Sequence, residues 1–277
     1  MGHNRIAYLP KSKKWTTIVR DVAAFRGTEV SGGGGGGVAI APSATDLVKV
    51  AAIADQTLAN VRYRFAHIDC DSGVIAAFRF LVLLVHATGR ENPSAWLKEH
   101  GVELADDFGA YDVGRALQDY VQENLDSTEY GTVAIQALFD ALQSYLRQGQ
   151  GTPQFEFDIT SSFETLRSGT DAGLFSELSR QFFSNFTERY LRYFLEREAS
   201  RSIESVTDRE LFLSSVHGHV QDLSKHAFET AKITQSVAAG WYNKHVKDTL
   251  PSERRLRGWV SFSFSKINSE LTREGSA

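Results

Sequence analysis

The residues best suited to chemistry by type and spacing are three histidines, His217, His219 and His226. Imidazole is a common ligand for zinc and iron. Such sites usually add a carboxylate, and Asp222 and Glu229 are close in sequence. The spacing works against them. On a helix His219 and His226 share a face, but His217 and His219 diverge by roughly 200°. A three-histidine site therefore needs Gly218 to break the helix, and no H-E-x-x-H spacing is present. The plain reading is surface or interhelical histidines without metal. A second set, His67-x-Asp69-x-Asp71, puts one imidazole and two carboxylates in a turn. On extended backbone they would share a face and hold a divalent cation. The simpler reading has Asp71 or Ser72 capping the helix that begins at Gly73-Val74, with Asp69 serving the turn. Cys70 lies near His67, but a partly buried structural cysteine is the plainer reading of a lone thiol. These sets make a metal-dependent hydrolase one alternative function. No His-Asp dipeptide, the usual marker of helical metal-dependent phosphohydrolases, occurs anywhere in the chain.

The basic residues suggest different chemistry. They gather at Lys11–Lys14, between Arg189 and Arg201, and between Lys244 and Arg257. The last group holds Lys244, Lys247, Arg254, Arg255 and Arg257, interleaved with Trp241, Tyr242 and Trp259. Cations for phosphates and aromatic faces for bases are what a nucleic-acid surface needs. Trp241 and Trp259 are the expected stacking groups. Amphipathic helix ends carry the same composition, so a nucleic-acid-binding module stands as a second alternative. The net charge of -4 excludes a protein whose whole surface is built to hold nucleic acid, leaving only a local patch.

The elements that position these residues are read from hydrophobic period. Six consecutive glycines, Gly32 to Gly37, separate a short basic leader, 1–31, from a helical body, 43–277. Glycine loses more backbone freedom on ordering than any other residue, so the run and its flank, 32–42, read as a flexible tether. No Lys-Ser or Lys-Thr follows it and no strand pattern precedes it, so it is not a phosphate loop. In the leader, Trp15, Ile18, Val19 and Val22 recur at i, i+3, i+4 and i+7, a short amphipathic helix expected to pack on the body with its lysines solvated. Docking on a partner is the other use for such a segment.

The body reads as successive helices. Ser43 and Asp46 have capping-box spacing ahead of a helix ending near Phe65. The most apolar stretch, Val74 to Ala87, is too short to span a bilayer and reads as a buried helix. Ser94 can cap a helix holding Trp96 and Leu97. The stretch Glu99 to Glu129 is acidic against only Arg115, yet Val113, Leu117, Tyr120 and Val121 keep one apolar face, as on a solvated helix. Thr132 to Leu146 is another amphipathic helix. Gln148 to Pro153 is the strongest internal break and a subdomain boundary by composition. Phe155 to Ile159 alternates but has no evident strand partner, so it reads as an extended linker. Ser161 with Glu164, and Thr207 with Glu210, repeat the capping-box spacing; the second opens a helix reaching Tyr242. Between them runs the longest helix, Leu174 to Ser200, with Leu174, Leu178, Phe182, Phe186, Tyr190 and Phe194 at successive i+4 positions. The last helix carries Val260, Phe264, Ile267 and Leu271. Its Ser261–Ser265 alternation also suits a strand, and helix is preferred. The result is an all-α, multi-helix, bundle-like domain with a tethered N-terminal basic segment.

Two stretches resemble a family of helical bacterial proteins associated with mobile or antiphage defence loci. One is Met1-Gly2-His3-Asn4-Arg5 with Leu9-Pro10 and Trp15. The other is Arg189-Tyr190-Leu191-Arg192-Tyr193-Phe194-Leu195-Glu196-Arg197-Glu198, followed by Ala239-Gly240-Trp241-Tyr242-Asn243-Lys244. The resemblance implies an accessory role beside a larger enzyme and carries no catalytic residues. With no cofactor motif present, the leading expectation is a non-enzymatic binding or assembly component with a protein partner or as a homo-oligomer. A single cysteine, no signal peptide and no membrane span fit a cytoplasmic protein.

Overall fold

A computed structural model describes residues 12–31, 38–61, 68, 71–124, 130–148, 161–167, 170–230 and 235–274. Among them are α1 (Lys13–Ala23), α2 (Ala44–Val61), α3 (Ser72–Thr88), α4 (Pro93–Glu99), α5 (Ala110–Asn124), α6 (Gly131–Gln148), α7 (Phe163–Leu166), α8 (Asp171–Ser202), α9 (Val206–Thr230), α10 (Gln235–His245) and α11 (Glu253–Glu274). The protein is an all-α multi-helix domain, as the periodicity predicts. Helix α8, 32 residues long, is its axis. Helices α1, α2, α3, α6, α9 and α10 all pack on it. It can hold that position because apolar side chains occur around most of its circumference, the pattern of a helix buried on several sides. Phe182, Phe186, Tyr190 and Phe194 are fully buried on it. Phe78 of α3 meets Phe182 and Phe183 at 5.7 and 5.5 Å between ring centroids, and Phe264 of α11 meets Phe183 and Phe186, each at 5.1 Å. Helix α3 is buried almost throughout, with Arg79 turned out to solvent. No helix among the described residues is long and apolar enough to cross a membrane.

The predicted leader helix is α1. Its Trp15, Ile18 and Val22 are buried while Lys13 and Lys14 are exposed. It packs on α2 and α8. The six glycines lie outside the described residues, but their flanks are paired: β1 (Thr28–Ser31) runs antiparallel to β2 (Val38–Ala41), with Thr28 opposite Ala41 and Ser31 opposite Val38. The leader helix thus packs on the body, as its apolar face predicts. The backbone on both sides of the run is fixed by a hydrogen-bonded ladder, and α1 is seated in the core. Likewise, α6 and α8, which flank the break near 148–153, pack extensively on each other. Phe155–Ile159 lies outside the described residues.

Local sequence sets several ends as expected. Asp71 Oδ1 accepts from the Gly73 and Val74 amides at 2.9 and 3.1 Å, capping α3. Ser43 and Asp46 form a reciprocal box, with the Asp46 amide 3.2 Å from Ser43 Oγ and the Ser43 amide 3.2 Å from Asp46 Oδ2. Other ends differ. Asn92, not Ser94, caps α4, because Pro93 takes the first helical position, where its missing N–H costs nothing. Ser205, not Thr207, accepts the Asp208 amide at 3.2 Å and opens α9. Ser161 and Ser162 form β4, paired with β3 (Asp107–Phe108). The stretch expected to form one helix reaching Tyr242 carries α9 and α10, with 231–234 outside the described residues. The Ser261–Ser265 alternation lies within helix α11.

Two glycines are required where they stand. Gly101, at φ 79°, follows α4: the Val102 amide reaches Leu97 O at 2.9 Å and the Gly101 amide reaches Lys98 O at 3.1 Å, a left-handed helix stop. Gly114 lets α5 lie against α6, since a Cβ there would sit 2.8 Å from the Phe139 ring. Truncation of the central seam tests the packing: Phe186→Ala is expected to lower unfolding free energy by about 3–5 kcal/mol, read by denaturant titration. An unchanged midpoint would place Phe186 outside the core.

Candidate functional site

The same helix that carries the aromatic seam carries a polar stripe. Gln181, Asn185, Glu188 and Arg192 recur at i, i+4, i+7 and i+11 on α8 and so share one face. With Asp140 and Ser144 of α6 and His217 and Gln221 of α9, they line a half-open groove of about 430 Å³. Its charges are fixed by neighbours. Arg189 donates through Nε to Asp140 Oδ2 at 2.9 Å, and through Nη2 to the same oxygen. Arg192 Nε donates to Glu196 Oε1 at 2.9 Å, and its Nη1 lies 3.4 Å from Glu188 Oε1. His217 Nδ1 is 2.8 Å from that same Glu188 oxygen. The shorter distance makes His217 Nδ1 a donor to Glu188. Its 3.2 Å approach to Arg192 Nη1 is then two donors sharing one acceptor. Glu188 itself is buried.

At the groove's end, burial pushes the Glu177 carboxyl up, but hydrogen bonds from Arg180 and Gln181 and the Arg180 charge together hold it below its ordinary value. Gln181 Nε2 donates to Glu177 Oε1 at 2.6 Å, which leaves the buried Gln181 Oε1 without a donor. These pairs are partly exposed, so each contributes at most about 1 kcal/mol to stability. Their effect on geometry is larger: they hold each guanidinium in one orientation.

The expected metal set is not assembled. His217 turns to Glu188 on α8, whereas His219 Nε2 lies 3.3 Å from Asp55 Oδ1 on α2. That is the divergence an unbroken helix imposes, and Gly218 lies inside α9. His226 is exposed. Among the described residues no group of three or more His, Cys, Asp or Glu side chains could hold a metal ion. His67, Asp69 and Cys70 lie outside the described residues, and Asp71 is engaged as a cap, its Oδ2 also 3.3 Å from the Tyr130 amide.

The basic and aromatic set is brought together, though in different roles from those expected. Lys244, Lys247, Arg254, Arg255 and Arg257 are all exposed. Arg257 pairs with Glu253 at 2.7 Å. Trp259 is buried, 4% exposed, and its indole N–H has no acceptor among the described residues. Trp241 is half-buried. The two tryptophans belong to a ladder of nearly parallel rings. Phe175 and Trp241 lie 5.5 Å apart at 19°, Trp241 and Trp259 5.1 Å at 27°, and Trp259 and Phe262 5.8 Å at 29°. Neither tryptophan is a free stacking platform, because ring neighbours take up their faces. The exposed ring is Phe262, which the basic-plus-aromatic pattern did not single out.

A buried junction also went unread. His86, near the end of apolar α3, is 5% exposed and lies between Arg90 and the Val246 carbonyl. Its Nε2 accepts from Arg90, so the ring nitrogen that donates to Val246 is Nδ1, the neutral tautomer. Burial, then the Arg90 charge, lowers its pKa from 6.5. Trp96 packs over His86 at 5.0 Å and stacks on His100 at 4.0 Å. Thr88 Oγ1 donates to Asp171 Oδ1 at 3.2 Å, and Arg167 donates to the Thr88 and Arg90 carbonyls, satisfying the end of α3. Burial, then the Asp171 charge, raises the Tyr242 phenol pKa well above its ordinary value. The network ties α3, α4, α8 and α10 together.

Comparison with protein families, curated proteins and solved structures finds no match to this chain.

Because the folded pKa of His86 is depressed, its contribution is fully present above the unfolded value of 6.5 and is lost as pH falls through the lower folded value. Thermal melts should therefore show destabilisation developing below pH 6.5, and His86→Gln should flatten that part of the profile. Parallel profiles for the two proteins would remove His86 as the cause.

Proposed function

We propose that the protein is a non-enzymatic helical binding component, and that a protein partner docks a polar segment in the groove between α6, α8 and α9. One observation carries the reading: every arginine lining the groove, and His217, already faces an acidic partner within the fold. Groups committed in this way offer oriented hydrogen bonds to a ligand. They do not offer the unpaired nucleophile, or the base with a tuned pKa, that acid–base or covalent chemistry requires. The same pairing favours a polar, near-neutral partner segment, because a strongly anionic one would have to compete with Asp140, Glu188 and Glu196. A fixed set of donors binds with little ordering cost, which suits assembly. The resemblance to helical proteins of antiphage defence loci supplies the setting: an accessory cytoplasmic subunit beside a larger enzyme encoded nearby.

The test is co-purification of the chain with the products of its neighbouring genes, followed by calorimetry on any complex. A micromolar or tighter complex, about -8 kcal/mol or better, is expected. Arg192→Gln together with Gln221→Glu should weaken it at least about tenfold, a change of about 1.4 kcal/mol, with cooperative unfolding retained. A complex indifferent to both changes would move the interface elsewhere, and no complex with any neighbour would remove the reading.

A further inference from the structure

We propose that the surface where α10 ends and α11 begins binds single-stranded nucleic acid, with a base stacking on Phe262 and phosphates held by Lys244, Lys247, Arg254, Arg255 and Lys266. This surface shares no residue with the polar groove, so the two readings stand or fall separately.

The first support is charge. From Lys244 to Lys266 the chain carries six cations, Arg257 being the sixth, against two acids, Asp248 and Glu253. Glu253 is already paired with Arg257. Lys244, Lys247, Arg254 and Arg255 are exposed and make no ion pair among the described residues. Helices α10 and α11 bring them to one place. The short connection 246–252 and the 5.1 Å stack of Trp241 on Trp259 hold the end of α10 beside the start of α11, which keeps the two groups of cations on one part of the surface. In a protein of net charge -4, four cations left unneutralised at one end of a helix pair are a local phosphate-binding feature.

The second support is the ring. Phe262 is 39% exposed, at the outer end of the ladder that runs from fully buried Phe175 through Trp241 and Trp259. Its orientation is set by the rings beneath it, so a base lying on it extends a stack already formed. Arg255, Trp259, Phe262 and Lys266 recur at i, i+4, i+7 and i+11 on α11, which aligns cation, ring, ring and cation along one face. Lys266 Nζ lies 5.9 Å from the Phe262 ring centre, and its flexible stem lets it exchange the ring for a phosphate. A duplex keeps its base faces covered, so the exposed ring selects an unpaired strand. An acidic protein segment would use the cations but not the ring.

The experiment is fluorescence anisotropy of tag-free full-length protein with a labelled oligothymidylate. Affinity should fall about 130-fold between about 50 and about 200 mM salt, the response of five phosphate contacts on a single strand. Phe262→Ala should weaken binding roughly tenfold without a change in melting temperature, and Phe262→Trp should restore it. Arg254→Glu with Arg255→Glu should remove measurable binding. Absence of binding at low salt overturns the proposal. So does a duplex of equal length held as tightly as the single strand, or an unaltered affinity in Phe262→Ala. Polyglutamate binding as well as the oligonucleotide would overturn it in favour of an acidic protein partner.

Discussion

Everything in this fold is arranged around the burial of α8. A helix with six neighbours must bury most of its circumference, and the residues of α8 do so with Phe175, Phe182, Phe183, Phe186, Tyr190, Leu191 and Phe194. Aromatic rings suit this role because each brings a large apolar area with few torsions to fix. They also constrain what surrounds them. Phe78 approaches from α3 to meet Phe182 and Phe183 at tilted angles, and Phe264 approaches from α11 to meet Phe183 and Phe186 edge to face. The placement of α3 and α11 next to each other against α8 thus follows the packing of Phe182, Phe183 and Phe186.

A helix buried this deeply gathers its longest polar row in one sector. Gln181, Asn185, Glu188 and Arg192 fall on the sector between α6 and α9, and the neighbours answer with Asp140 and His217. The groove is bounded by these pairs, which hold α6, α8 and α9 apart at hydrogen-bond distance while one side stays open to solvent. Near the other end of α8, Phe175 begins the ladder that ends at Phe262, so the exposed ring on α11 owes its orientation to the same helix. The His86 junction closes the arrangement by fixing the start of α8, through Asp171, to the end of α3.

What could be read from the sequence was local. Hydrophobic period located each long helix, and Asp71 and the Ser43–Asp46 box were legible because their partners lie within three residues. Asn92 and Ser205 were missed because several neighbouring residues can cap equally well in isolation, and the choice falls to backbone geometry, in one case that of Pro93. The β1–β2 pairing was missed because a glycine run reads as freedom, and the ladder that limits it forms only between its flanks. The polar stripe on α8 was present at helical spacing but lay within a helix read for its aromatic residues. No local signal says which of Trp241, Trp259 and Phe262 is exposed. Composition places an aromatic residue among cations, and only the packing of α10 against α11 decides which ring faces outward.

The two surfaces differ in the kind of recognition their electrostatics allow. In the groove, acid and base neutralise each other at short range, so little field extends into solvent and binding there depends on fit and hydrogen-bond geometry. It should respond weakly to salt, because the pairs that matter already exist in the free protein. At the end of α10 and the start of α11, Lys244, Lys247, Arg254 and Arg255 face solvent with no ion pair among the described residues, and their field reaches about a Debye length. A ligand there is attracted before it is fitted. Because α8 supports both surfaces, through its polar stripe and through Phe175, one rigid element sets the spacing between a short-range site and a long-range one. On the two proposals made above, the separation between a docked protein segment and a bound strand would be set by this single helix.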